Sequence, residues 1–174
     1  MKCRHCGSSC THALPGELTT EEALKLCDDI AGLGLMWITL SGGEPLIRKD
    51  WNLIVKRLRN NGVVPNLITN GWAVTEKVLE TAKESGIGTL AVSLDGLESY
   101  HDYMRKPGAY RRGMNALRMM RDMDISAGVI TTVSKKNLPE LPAFKDTLSE
   151  VGVRFWQLQI GLPMGNLKEN SELI

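Results

Sequence analysis

Aromatic side chains are scarce in this chain: they make up 5% of its 174 residues, and only two are Phe. Charge of one sign is lacking as well. Lys and Arg total 21 against 20 for Asp and Glu, a net charge of +1. So even a balance argues against a nucleic-acid scaffold and against attachment to a membrane by charge. No run reaches the roughly 18 consecutive apolar residues of a membrane span. The opening Met1-Lys2-Cys3-Arg4-His5-Cys6 lacks the apolar stretch of a signal peptide. The apolar share, 43%, suffices for the core of one domain, 1–174.

Cysteine is also sparse, and its placement is informative. Of four cysteines, Cys3, Cys6 and Cys10 fall within eight residues, and Cys27 sits in a helical pattern. A disulfide scaffold would spread its cysteines over distant loops. Clustered thiols without an export signal point to metal ligands in a reducing, cytoplasmic compartment. One alternative is zinc held by Cys3, Cys6, Cys10 and either His5 or His12. Another is a set of free thiols.

Apolar runs at 35–40, 63–69, 89–94, 127–133 and 153–160 have buried-strand character. Helical patterns alternate with them. Thr19-Thr20-Glu21-Glu22 forms a capping box, Trp51, Ile54, Val55 and Leu58 share a face, and Thr75 caps a third helix. Met114, Leu117 and Met120 mark a fourth, and Leu141, Phe144, Leu148 and Val151 a fifth. This alternation predicts an α/β fold with a parallel sheet, either barrel or doubly wound. Ligands of such folds bind at the carboxyl ends of the strands. Those ends read Ser41-Gly42-Gly43-Glu44-Pro45, Thr69-Asn70-Gly71, Ser93-Leu94-Asp95-Gly96, Thr131 to Ser134 and Gln159 to Pro163. One shared pocket is expected there. Two glycines allow close approach to the backbone, and Glu44 suits a ligand ammonium or, alternatively, caps a Gly-rich turn. Cys27 and the methionines at 114, 119, 120 and 123 are expected in the core or on a helix face, and His101 and Lys135-Lys136 on the surface.

The ordered set CRHC, SGGEPL, LITNG, VSLDG with HDYMR, and PMGN resembles the radical S-adenosylmethionine (AdoMet) superfamily, from Cys3 to about Asn166. The opening KCRHCGSSC and closing WQLQIGLPMGNL are most similar to members with a C-terminal extension for additional clusters, the SPASM type, which often modify peptides or proteins. The resemblance implies a partial TIM-type (βα) barrel, strands two to six of the core. It also implies a [4Fe-4S] cluster with one open iron, on which AdoMet is cleaved to a 5′-deoxyadenosyl radical that takes hydrogen from a substrate. An external electron donor, and no nucleic acid or membrane, go with that chemistry.

The resemblance assigns Cys3 and Cys6 as the second and third cluster ligands and puts His5 near the adenine. Gly42, Gly43 and Glu44 match the segment holding the methionine amino group, and Ser93 and Asp95 the site for ribose or carboxylate groups. Arg105 is the candidate carboxylate partner, with Arg111 and Arg112 as competitors, and Asn70 reaches the pocket. Gln159 and 161–164 flank the adenine. The family's first cysteine would fall two residues before Met1, and its first strand and C-terminal extension are not within the sequence. This chain is therefore expected to hold no firm cluster, to be inactive, to leave the loop from Cys3 to about Pro15 mobile or displaced, and to self-associate, most simply as a two-fold dimer, through its edge strand at Trp37 or its uncovered helix faces. The alternative is a non-catalytic zinc- or AdoMet-binding partial barrel.

Overall fold

The structure, a computed structural model, describes residues 1–10, 12–13 and 15–173. The element order is α1 (Thr20–Gly32), β1 (Trp37–Leu40), α2 (Trp51–Asn60), β2 (Val64–Thr69), α3 (Glu76–Glu84), β3 (Thr89–Ser93), α4 (Glu98–Met104), α5 (Ala109–Asp122), β4 (Ala127–Val133), α6 (Leu141–Val151), β5 (Phe155–Ile160) and α7 (Asn166–Glu169). The strands form one five-stranded sheet in the order β1-β2-β3-β4-β5, every neighbouring pair parallel. Chain order and spatial order coincide, as in a singly wound barrel, and the sheet curls into an open half-barrel. The partial (βα) barrel expected from the sequence is the observed fold.

Local signals explain where the helices begin. Thr19 accepts the Glu22 N–H while Glu22 accepts the Thr19 N–H, a complete capping box. Thr75 caps α3 by accepting the Val78 N–H. The helices cover the outer face of the sheet. There Leu67, Leu90, Val92 and Val129 are fully buried against Val55, Leu79, Leu117, Met120 and Phe144. Cys27 packs with Leu58 and Val63 in a smaller cluster under α1, the core role its helical spacing predicts. Alternate strand residues line the concave inner side, among them Trp37, Asn66, Thr89 and Phe155.

Two elements escaped the periodicity. α4 has only seven residues, yet it buries Tyr100, His101 and Met104. α7 docks Leu167 beside Tyr100, Met104 and Leu173. Among the described residues no helix is long and apolar enough to cross a membrane.

Candidate active site

The carboxyl ends of the strands converge on a cavity of about 280 Å³. Its lining includes Cys3, His5 and Cys6 from the N-terminal loop, Gly42 and Gly43 after β1, Asn70 after β2, Ser93 at the end of β3, and Arg105 after α4. Thr132 and Gln159 close it from β4 and β5. Eight of the ten residues singled out in the sequence are thus brought together. Gly42 holds φ at +149°, a backbone setting suited to glycine, so the strip after β1 faces the cavity as bare backbone. Cys10 lines the same cavity from the Gly43 side.

Glu44 and Asp95 stand one layer behind that lining. The Glu44 carboxylate accepts from Thr69 Oγ1 at 2.8 Å, from the Asn70 N–H at 2.8 Å and from the Leu46 N–H at 3.3 Å. It caps the short 3-10 turn Pro45–Ile47 and ties the end of β1 to the end of β2. Asp95 is fully buried. The shared pocket expected for Ser93, Asp95 and Glu44 therefore has Ser93 on its wall and the two carboxylates as its frame.

Asp95 organises that frame. Arg105 Nε donates to Asp95 Oδ2 at 2.6 Å, His5 Nε2 lies 3.4 Å from Oδ1, and the Thr132 N–H donates to Oδ1 at 3.2 Å. The Asp95 N–H donates to His101 Nδ1 at 3.0 Å, and Asn137 Nδ2 donates to the Asp95 carbonyl at 2.6 Å. Burial would raise the Asp95 pKa, but Arg105, His5 and His101 outweigh it and hold the carboxyl below its usual range. His101, expected on the surface, is fully buried, and burial lowers its pKa to about 4. It is neutral at pH 7, which lets Nδ1 accept. His101 and Asn137 were missed because the groups they bind are backbone atoms, at Asp95 and at Thr132, which leave no periodic trace. The only hint was the spacing of His101 and Arg105, six and ten residues after Asp95.

Arg105 faces the thiol loop as well. Its Nη1 is 3.9 Å from Cys3 Sγ and its Nη2 is 3.3 Å from His5 Nε2. With Nε on Asp95, the guanidinium is already paired, so its expected role as carboxylate partner would leave only its other nitrogens for a ligand. Burial raises the Cys3 pKa, with Arg105 opposing. Cys3 and Arg105 also line a larger outer groove of about 840 Å³ with Arg4, Tyr103 and Asn166. Cys3 is thus the wall between cavity and groove. Its loop is not displaced: the Arg4 N–H donates to the Met104 carbonyl at 2.9 Å, and Asn166 binds the loop from the other side. Positions 11 and 14 of that loop lie outside the described residues.

The donor set separates the metal readings. Among the described residues, no group of three or more His, Cys, Asp and Glu side chains could hold a single metal ion, which removes support for tetrahedral zinc. A cluster makes a different demand, because its thiolates bind separate irons. Cys3 and Cys6, the Gly42-Gly43 strip, and a buried His5 Nδ1 with no hydrogen-bond partner, all at one cavity, suit a cluster edge with a polar ligand beside it.

Residues 1–148 match the model of the Radical SAM superfamily, and the chain belongs to that family. Among its relatives, the AdoMet-dependent heme synthase of Methanosarcina barkeri is 34% identical over 99% of this chain and 50% of its own length. The PqqA peptide cyclase of Granulibacter bethesdensis is 26% identical over 87% of this chain and 41% of its own. Streptococcus suis SuiB, solved bound to S-adenosylmethionine, superposes with a TM-score of 0.82 at 13% identity, covering 92% of this chain and 38% of its own. The chain spans about half the length, or less, of the curated relatives it matches.

Proposed function

We propose that the chain is the core domain of an enzyme that cleaves AdoMet reductively. The observation that carries this reading is the meeting of Cys3, Cys6, the Gly42-Gly43 strip, Asn70 and Ser93 around one cavity at the carboxyl ends of a half-barrel. Cys3 and Cys6 would hold a [4Fe-4S] cluster. When bound, the cluster supplies one electron to the AdoMet sulfonium, giving methionine and a 5′-deoxyadenosyl radical that takes a hydrogen atom from the substrate. The protein's own residues do the rest. The bare backbone at 42–43 lets the methionine amino group come within hydrogen-bond reach, and Ser93 and Asn70 offer donors and acceptors to its carboxylate and ribose. Glu44 fixes the strand ends that carry these groups. Asp95 and Arg105 hold His5 at the adenine side.

The likeness to a heme synthase over nearly the whole chain favours a tetrapyrrole substrate. The likeness to a peptide cyclase supports a second reading, a peptide or protein substrate. In full-length protein carrying the family's first cysteine, anaerobic reconstitution with iron and sulfide, dithionite reduction, and mass spectrometry of 5′-deoxyadenosine and methionine test the chemistry. Equal iron and sulfide with one 5′-deoxyadenosine per methionine is the expected result. One zinc without sulfide would replace this reading by the binding-module alternative. Deuterium transfer into 5′-deoxyadenosine from a labelled porphyrin or a labelled peptide separates the two substrate classes.

A further inference from the structure

The geometry points to Asn166, with Gly165, as a positioning residue that latches the Cys3–Cys6 loop. Asn166 Nδ2 donates to the Cys3 carbonyl at 2.8 Å and the Asn166 N–H donates to the Cys6 carbonyl at 2.9 Å. Ser9 Oγ donates to Asn166 Oδ1 at 2.8 Å. One asparagine thus binds the loop at three points, across 163 residues of sequence in the case of Cys3. The carbonyls of both cysteines are directed to the latch, and both residues line the inner cavity.

Gly165 makes the approach possible. It holds φ at +51° and ψ at −134°, and a Cβ there would sit 2.5 Å from the carbonyl oxygens of Cys6 and Gly7. Those neighbours are backbone and cannot turn aside, so only glycine fits. The latch is itself anchored. Leu167, 3% exposed, is packed against Tyr100 and Met104 of α4. The opposite jaw is the end of α4, where Met104 accepts the Arg4 N–H and Arg105 faces Cys3 Sγ. The loop after β5 therefore fixes the spacing and direction of two thiols that belong to the first six residues.

The consequence for a cluster rests on the proposed function, but the latch can be tested without one. In the metal-free full chain, alkylation of each cysteine is followed by mass spectrometry, with buried Cys27 as internal reference. Asn166→Ala should speed modification of Cys3 roughly tenfold, the effect of losing about one net hydrogen bond from the closed loop. Gly165→Ala should act in the same direction, and Cys27 should not change. If Cys3 accelerates no more than Cys27 in both variants, there is no latch. In full-length protein carrying the family's first cysteine and reconstituted with iron and sulfide, Asn166→Ala should alter the electron paramagnetic resonance spectrum and the reduction potential of the cluster. A spectrum and potential equal to those of the unaltered protein would overturn the positioning role. Full-length protein carrying the family's first cysteine that takes up no iron and sulfide would overturn the proposed function, while the alkylation result decides the latch by itself.

Discussion

Replacing Asp95 by Asn removes the only negative charge that Arg105 is paired with in the hydrogen bonds and ion pairs described, at 2.6 Å and with the carboxylate fully buried. The Arg105 side chain is 9% exposed, so water takes over the lost partner only in part. Breaking a buried pair from one side costs about 3–5 kcal/mol, because the remaining charge stays desolvated and unpaired. Against a total stability of about 5–15 kcal/mol that is a large fraction. For a chain of this size it corresponds to a Tm lower by roughly 6–20 °C. Backbone contacts of Asp95 with His101 and Asn137 survive in the variant, so the loss isolates the carboxylate. Urea unfolding of the metal-free chain, followed by circular dichroism, measures it. Combining Asp95→Asn with Arg105→Gln should cost less than the sum of the two single changes by about 0.5–3 kcal/mol. The pH dependence adds a second criterion. The Asp95 pKa is depressed in the folded state, so its stabilisation is present above the unfolded carboxylate value near 4 and is lost as pH falls below that. The cost of Asp95→Asn should then be constant between about pH 5 and 8 and shrink only in acid. A loss under about 1 kcal/mol, or strict additivity in the double variant, would mean that the pair behaves like a solvent-exposed one and would refute the reasoning.

His101 has its pKa lowered to about 4 by burial, so the stability it permits is complete above its unfolded value near 6.5 and falls as pH drops toward 4, by up to about 3 kcal/mol in all. Urea midpoints of His101→Gln and the unaltered chain at pH 7 and pH 5 check this; equal pH sensitivity in both would rule His101 out. Glu44→Ala removes the acceptor shared by Thr69, Asn70 and Leu46 and should destabilise by about 1–3 kcal/mol, with faster hydrogen exchange at the Asn70 amide. Trp37 and Met36, 61% and 77% exposed at the β1 edge, and Ile160, 82% exposed in β5, should promote a two-fold dimer. Size-exclusion chromatography with light scattering checks that, and a monomer at high concentration would count against it.

The sequence made the strands and the long helices legible because each repeats a hydrophobic period or carries a cap: Trp51, Val55 and Leu58 on α2, or Thr19 with Glu22 before α1. The strand-end residues were legible because glycine pairs and isolated polar groups break that period. Placement within the site was less so. Glu44 and Asp95 stood out as carboxylates at strand ends, yet whether such a group meets a ligand or a neighbouring Thr, Arg or His depends on contacts between different loops. α4 gave no signal because Glu98-Ser-Tyr-His-Asp-Tyr-Met104 is short and mostly polar, and its burial comes from α5, from the loops after β3 and β4, and from Leu167 and Leu173. The same kind of long-range contact explains why the thiol loop is held where displacement was expected.

The distance between Cys3 and Asn166 along the chain also has a meaning in time. A ribosome adds roughly 5–20 residues per second, so on the order of ten to thirty seconds separate the synthesis of the thiols from that of the asparagine that closes over them. Contacts this remote in sequence also form late in folding, because loop entropy must be overcome first. Throughout that interval the two cysteines are unconstrained and open to oxidants or to stray metal. Any delivery of iron and sulfur to them before Asn166 has been made would meet thiols whose spacing has not yet been set.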